Sequence, residues 1–333
     1  MRKARWWWIT LLVAALVLWG GWQLRVPTGN RSSLPTERIP ASGEVISIPM
    51  LNRDRLLADV KALSFVRHTE TERDRARAYI VQALEQAGWQ PQLQPVAAEN
   101  HQGVNIVATR PGQDPSAGIV LLGAHYDTVA RSPGADDNAT SVATILEIAR
   151  SFATIAVPST LQLALFDLEE AGLVGSRQFA AQLPRTTAYT AALIMDMIGF
   201  RCLQPGCQSY PPLPIAPPTD RGDFLAVLVD QPHADLLSVF QPRANQPKIL
   251  TLPVPQLGRF TPDTVRSDHA PFWRRGIGAF LVTDTANFRN PHYHLPEDTA
   301  TTLDPDFFAA SAQAIADATV RLLTQPPTRD RSF

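Results

Sequence analysis

Cysteine is nearly absent from this 333-residue chain, which holds two, Cys202 and Cys207. That excludes a disulfide-dense scaffold, and two cysteines with no second pair make a poor structural zinc site. An excess of charge is missing as well, since 30 Lys and Arg face 31 Asp and Glu. Such a balance leaves no electrostatic footprint for a nucleic-acid partner and no acidic tail; a small uncharged or mixed substrate fits better. Neither an internal repeat nor a second domain is visible, and nothing indicates an obligate protein partner. What is present is 45% hydrophobic residues, enough to bury one sizeable α/β core. Proline is abundant, with 29 residues, and stretches such as QPGCQSYPPLPIAPPT predict long, stiff loops.

The amino terminus stands apart. MRKAR precedes the uncharged run WWWITLLVAALVLWGGWQL, residues 6–24, close to the ~20 residues that span a bilayer. Basic residues before it place the N-terminus in the cytoplasm by the positive-inside rule, with tryptophans at both interfaces. Residues 1–25 therefore read as a transmembrane signal anchor or a signal peptide, and the absence of a small-x-small cleavage site near LWGGWQL favours the anchor. A polar linker (26–46), a single folded domain (47–326) and a short tail (327–333) follow. The domain is expected outside the cytoplasm, periplasmic or extracellular. There Cys202 and Cys207 should close a Pro-Gly turn as a disulfide, two free thiols being the alternative.

Hydrophobic periodicity predicts amphipathic helices over 53–64 and 71–88. QPQLQPV and GVNIVATR read as strands, with GQDPSAG as a hairpin turn before IVLLGAH. A helix over 138–153, the strand LQLALFD, a helix over 174–183 and the strand AALIMDM come next. FLAVLVD, a helix near 233–240, KILTLPV, a short helix at HAPFWRRG, GAFLVTD and a long helix over 305–324 complete the pattern. Short apolar strands between helices predict a three-layer α/β fold: a mixed, mainly parallel sheet with helices on both faces and an antiparallel edge.

Ligands of open α/β sheets bind beyond the carboxyl ends of the strands. His125 and Asp127 follow IVLLGA, Glu169 and Glu170 follow LQLALFDL, Asp196 follows AALIM, and His292 and His294 follow GAFLVTD. Four strands thus deliver metal-capable side chains to one edge, with Asp136 at a loop-to-helix junction. Histidines and carboxylates suit zinc. Two ions sharing one carboxylate would activate a water and polarise a carbonyl, leaving one further carboxylate to take the proton. Glu169 and Glu170, being adjacent, can share the site only if the strand ends before them.

GAHYDT, GADDNATS, FDLEEAGLVGSRQF, MDMIG, SDHAPFW and NPHYHLPEDT, taken together and in order, resemble the co-catalytic zinc exopeptidase family. That family contains bacterial secreted aminopeptidases, plasma glutamate carboxypeptidase-like enzymes and glutaminyl cyclases. The resemblance covers roughly residues 54–323. It implies that His125 and Asp196 ligate one metal, that Asp136 bridges, and that Glu170 and His294 hold the second. It also implies Glu169 as general base and Asp127 as the acceptor that orients the His125 ring. Relatives often have a non-proline cis peptide after the bridging Asp, so Asp137 is given a geometric role, with helix N-capping as the alternative. Tyr293 matches, in some relatives, a tyrosine that hydrogen-bonds the oxyanion. Asp268 and His269 either line the pocket or are structural, and His292 stays outside the ligand set.

The resemblance therefore implies an aminopeptidase acting on peptide or aminoacyl substrates with two Zn2+, Co2+ or Mn2+ being alternatives. Glutaminyl-peptide cyclisation and a carboxypeptidase remain the other readings; the latter wants an Arg or Lys in the pocket, for which Arg201, Arg259, Arg266, Arg274 and Arg275 are candidates. The proline-rich segment 200–223 is expected to form a wall or lid of the substrate pocket.

Overall fold

The computed structural model describes residues 50–98, 101–212, 217–241 and 243–325. The expected anchor, linker and tail lie outside the described residues. Among the described residues no helix is long and apolar enough to cross a membrane.

Strand Ile119–His125 shows how the architecture follows from the sequence. Val120, Leu122 and Ala124 enter one apolar cluster, whereas Leu121 enters another. A strand buried on both sides belongs inside a sheet covered by two layers. The eight strands are β1 (Gln92–Ala98), β2 (His101–Arg110), β3 (Ile119–His125), β4 (Thr160–Phe166), β5 (Tyr189–Met195), β6 (Phe224–Asp230), β7 (Lys248–Val254) and β8 (Ala279–Thr283). They form one sheet in the order β1-β2-β4-β3-β5-β8-β6-β7. The neighbours β4, β3, β5 and β8 are mutually parallel, whereas β2 and β6 run antiparallel to the strands beside them, β4 and β8.

Helices α1 (Arg53–Leu63), α2 (Glu70–Gln86), α3 (Ser141–Ser151) and α6 (Pro305–Thr324) cover one face through Leu56, Ile80, Ile145 and Phe308. Helices α4 (Val174–Gln182) and α5 (Ala270–Arg274) cover the other through Phe179, Phe272 and Trp273. Local signals start several of them. Asn52 caps α1, Thr69 and Glu72 form a reciprocal capping box on α2, and Asp304 accepts from Asp306 N and Phe307 N ahead of Pro305.

Three expectations change. GQDPSAG does not close a hairpin, because β2 pairs with β1 and β4 while both edges of β3 are taken by parallel partners. The turn instead crosses over β4, tied by Gln113 N to Val157 O and Asp114 N to Pro158 O. The helix expected from 138 starts at Ser141, after a wider turn over Ala135–Thr140. The segment near 233–240 is a 3-10 stretch, Gln231–Val239.

Arg67, between α1 and α2, is 1% exposed. Its side chain donates to the carbonyls of Tyr126, Phe65, Pro133 and Gly134 at 2.7–3.0 Å and to that of Leu63. It thereby ties the end of α1 to the two turns that follow β3. Arg67→Ala should destabilise the fold by about 3 kcal/mol, since each buried acceptor left without a donor costs roughly 1–3 kcal/mol before water re-enters. Urea unfolding checks this, and a loss below about 1 kcal/mol would show that those carbonyls are served by something else.

Candidate metal centre

Four neighbouring parallel strands end at one edge, and each delivers a site residue. His125 is the last residue of β3 and Asp196 is the first beyond β5. After β4 the chain turns sharply at Leu168, whose φ is +58°. This ends the strand's alternation and lets Glu169 and Glu170 face the same space. Beyond β8 a long loop returns to His294, whose own φ is +59°.

Two clusters result. Ligand-capable atoms of His125, Glu169 and Asp196 lie within 4.8 Å of one another, and so do those of Asp137, Glu170 and His294. Asp137 joins the two, with Oδ1 3.3 Å from His125 Nε2 and Oδ2 3.2 Å from His294 Nε2. Asp196 Oδ1 is 3.6 Å from His125 Nε2, and Glu170 Oε2 is 3.2 Å from His294 Nε2.

The expectation that Asp136 bridges is corrected by this geometry. Asp136 is fully buried and turned away: Oδ1 accepts from Gly199 N and Oδ2 from Asn290 Nδ2, both at 2.9 Å. It braces the loops after β5 and β8. The carboxylate that faces both imidazoles is its neighbour Asp137, and the cis peptide follows it, between Asp137 and Asn138.

Asp127 lies with Oδ1 3.5 Å from His125 Nδ1, and its two oxygens also accept from Glu169 N and Glu170 N at 3.0 and 3.1 Å. Tyr293 stacks on His294 with ring centroids 3.7 Å apart. His292 stays outside the clusters, edge-on to Phe200. His269 is structural, bonded through Nε2 to Thr264 O and packed edge-on to Trp273. Asp268 is buried, and neither of its oxygens has a hydrogen-bond partner.

Several supporting residues gave no usable signal in the sequence. Asp298, within HLPEDT, accepts from Asp136 N and Asp137 N at 2.9 and 3.1 Å. Asn138 pins the turn to β5, giving Nδ2 to Met195 O and accepting from Met197 N.

The clusters open on a cavity of about 910 Å³. Phe224, Leu228, Leu250, Leu252 and Leu281 form its apolar wall, and Gln208–Pro212 and Pro217–Asp220 line it too. Described parts of the segment 200–223 therefore form a wall of the pocket, as expected, and a Cys202–Cys207 disulfide braces them. Of the candidate arginines, Arg266 lines the cavity, while Arg201 is paired with Asp304 at 2.5 Å.

The electrostatics follow from crowding. Burial, opposed by His125 but reinforced by Asp268, Asp196 and Glu170, raises the Glu169 pKa well above its ordinary value. Burial and Asp137 push Glu170 up to about 7. Asp137 goes the other way: burial opposes its charge, but the contacts with His125 and His294 prevail and hold it well below the usual carboxylate range. Burial disfavours charge on the imidazoles too. Glu169 and the other carboxylates nevertheless raise His125 well above its normal value, and Asp137 and Glu170 bring His294 up to about 10.

A mixed three-layer α/β sheet with paired histidine-carboxylate clusters at its strand ends is the architecture of a metal-dependent hydrolase. Residues 105–319 match the model of Peptidase family M28. The chain belongs to that family and is a metallopeptidase. It is 34% identical over 273 residues to protein YfbL of Escherichia coli (strain K12), across 75% of this chain and 79% of that one. It is 30% identical over 232 residues to leucine aminopeptidase 1 of Trichophyton equinum, covering 63% of this chain and 56% of that protein. Among solved structures, the aminopeptidase from Aneurinibacillus sp. strain AM-1 superposes with a TM-score of 0.64 at 16% identity, over 83% of this chain and 95% of the other.

Protonated imidazoles must give up their protons to become ligands. With both histidine pKa values raised and Glu170 pushed up to about 7, loading the metal-free protein with zinc near neutral pH should release at least roughly two protons per chain, and affinity should strengthen as pH rises toward about 10. Calorimetry in buffers of differing ionisation enthalpy measures the release. A value near zero would mean that the imidazoles are already neutral.

Proposed function

We propose that this chain is an aminopeptidase that removes the N-terminal residue of peptides, using two divalent ions. Zinc is the first choice, with cobalt or manganese as alternatives. The observation that carries the reading is the Asp137 carboxylate, set between two imidazoles at 3.3 and 3.2 Å on the edge of an apolar cavity. His125 and Asp196 would hold one ion, Glu170 and His294 the other, and Asp137 would be shared.

The residues fit such ions. Among the described residues the ion pairs of Asp137, Asp196 and Glu170 are all with His125 or His294, and no lysine or arginine forms an ion pair with them. Glu170 Oε1 is buried without a hydrogen-bond partner. The nitrogen and oxygen donor set suits zinc. When bound, the ions supply a water of lowered pKa and polarisation of the peptide carbonyl.

The chain's own residues do the rest. Glu169, poised by burial to hold a proton, takes one from the attacking water and passes it to the departing amine. Tyr293 donates its hydroxyl to the carbonyl oxygen as that atom gains charge. Asp127 orients His125 and holds the Glu169–Glu170 turn against it. The wall of Phe224, Leu228, Leu250, Leu252 and Leu281 receives the side chain of the N-terminal residue, favouring a large apolar one. Glutaminyl cyclisation needs one ion and no water-activating base, so the completed second cluster argues against it. The proposal includes an extracytoplasmic placement through the N-terminal segment, which the Cys202–Cys207 bond supports, because disulfides persist in oxidising compartments.

Metal content and hydrolysis of aminoacyl anilides, with and without a chelator, test the reading. Two zinc ions per chain and chelator-sensitive release are expected, whereas cyclisation of N-terminal glutamine without hydrolysis would replace the aminopeptidase with a cyclase. Glu169→Gln should keep its metal and lose ~10²–10⁴-fold in kcat. Asp137→Asn should lose metal, while Asp136→Asn should retain it. Metal loss confined to Glu169→Gln and Asp136→Asn would reverse these roles.

A further inference from the structure

Arg266 stands on the cavity wall just beyond the single turn Pro262–Val265. Its side chain is 46% exposed, so the core does not require it. The guanidinium is nonetheless engaged in three directions. Nη2 donates to the Tyr293 hydroxyl oxygen at 3.2 Å, Nη1 donates to Asn287 Oδ1 at 3.0 Å, and Nη1 lies 3.5 Å from Asp263 Oδ1. Arg266 comes from the segment after β7, while Asn287 and Tyr293 both come from the long loop after β8. One planar fork therefore joins two walls of the pocket.

The consequence lies in the phenol. Guanidinium has donors and no acceptor, whereas a phenol has one proton to give and an oxygen that accepts. With Arg266 donating to that oxygen, the Tyr293 hydrogen cannot point at the guanidinium. The ring has little freedom to swing away, since it stacks on His294 at 3.7 Å. The proton is left to turn into the cavity that Asp137, Glu170 and His294 also line. A charged donor on the phenol oxygen also polarises the O–H and strengthens it as a donor in its turn.

We propose that Arg266 is a positioning residue that acts through Tyr293, aiming and polarising its hydroxyl toward the carbonyl oxygen of the scissile bond. The inference rests on the aminopeptidase reading and on the place of Tyr293 in it. It differs from the role an arginine in such a pocket would have in a carboxypeptidase, where it would bind a substrate carboxylate directly.

A double-mutant cycle separates these roles. Arg266→Met, Tyr293→Phe and the pair are compared as zinc-loaded protein on a leucyl anilide, which has no carboxylate, and on a leucyl dipeptide, which has one. Binding of leucinal, whose hydrate resembles the tetrahedral species, gives a readout without turnover. Tyr293→Phe should lower kcat by about 100-fold, as loss of an oxyanion donor does. Arg266→Met should lower kcat about tenfold on both substrates with KM unmoved, and weaken leucinal binding by a similar factor, both through partial loss of that same donor. In the Tyr293→Phe background the Arg266 substitution should change nothing further. Arg266→Lys should recover part of the loss, because an ammonium can reach the phenol but cannot hold Asn287 with the same fork.

Equal losses from Arg266→Met in both backgrounds would overturn the inference. So would a rise in KM confined to the dipeptide, which would make Arg266 a carboxylate anchor. An unchanged kcat in Tyr293→Phe would remove the tyrosine's role and the inference with it, while an absence of any hydrolysis by the parent protein would be a failure of the aminopeptidase reading itself.

Discussion

Asp137, Glu169, Glu170 and Asp196 converge on two imidazoles in a largely buried space, and holding that much like charge together is the constraint around which the chain is arranged. In a low-dielectric site each added carboxylate raises the cost of ionising the next. The opposed shifts of Asp137 and Glu170, one below and one above the usual range, are the direct expression of that competition. The imidazoles offset part of the repulsion. Arg67 offsets more without touching any of the four: its own pKa, lowered to about 10 by burial, is supported by the charges of Asp137, Asp298, Asp127 and Glu170. Its guanidinium is fixed by backbone carbonyls, so it acts as a stationary positive charge behind the site. At short range in a poorly screened interior such a charge is effective without contact.

Backbone geometry meets the same constraint. Leu168, Met197 and His294, each within two residues of a cluster side chain or bearing one, all adopt positive φ. For residues with a Cβ that conformation costs roughly 1–3 kcal/mol and persists when its surroundings over-determine it. The surroundings here are polar side chains that grip the turns. Asp127 accepts the N–H groups of Glu169 and Glu170, Asn138 accepts that of Met197, and Asp298 accepts those of Asp136 and Asp137. A second set of acids thus shapes the turns that carry the first. This is why Asp127, Asp136 and Asp298 are buried and yet absent from the paired clusters.

Much of this was legible in the sequence. Strands read as short apolar runs, and the rule that ligands gather beyond strand ends brought His125, Glu169, Glu170, Asp196 and His294 to one edge, where the structure has them. The choice between Asp136 and Asp137 was not legible. Both are buried acids in one turn, and which of them faces inward depends on the path of the chain from Gly134 to Thr140, on donors supplied by residues 199 and 290 and on the acceptor Asp298, none of which periodicity can register. The hairpin expected at GQDPSAG failed for a related reason. Local turn chemistry says that the chain reverses, but only the competition between strands for partners says that β4 inserts between β2 and β3.

The reversal of β6 relative to β8 explains the pocket. Strands β4, β3, β5 and β8 point their carboxyl ends at the site and supply its polar side chains, whereas β6 and β7 run the other way. What those two offer the cavity is instead one pleated face, with Phe224, Ala226 and Leu228 alternating along β6 and Leu250 and Leu252 along β7. In a three-layer fold a helix would be expected to cover such a face. The described parts of segment 200–223 line the same cavity, with Tyr210 packed against that apolar cluster, and are held by the disulfide, by the pairing of Cys202 with Gly222, and by Gln208, which bonds Thr285 and receives Arg289 Nε. The cavity is lined jointly by that proline-rich segment and by the pleated face, whose Phe224, Ala226 and Leu228 are buried and whose Leu250 and Leu252 are half-buried. The same reversal that interrupts the row of polar strand ends therefore sets an apolar face beside them on one cavity.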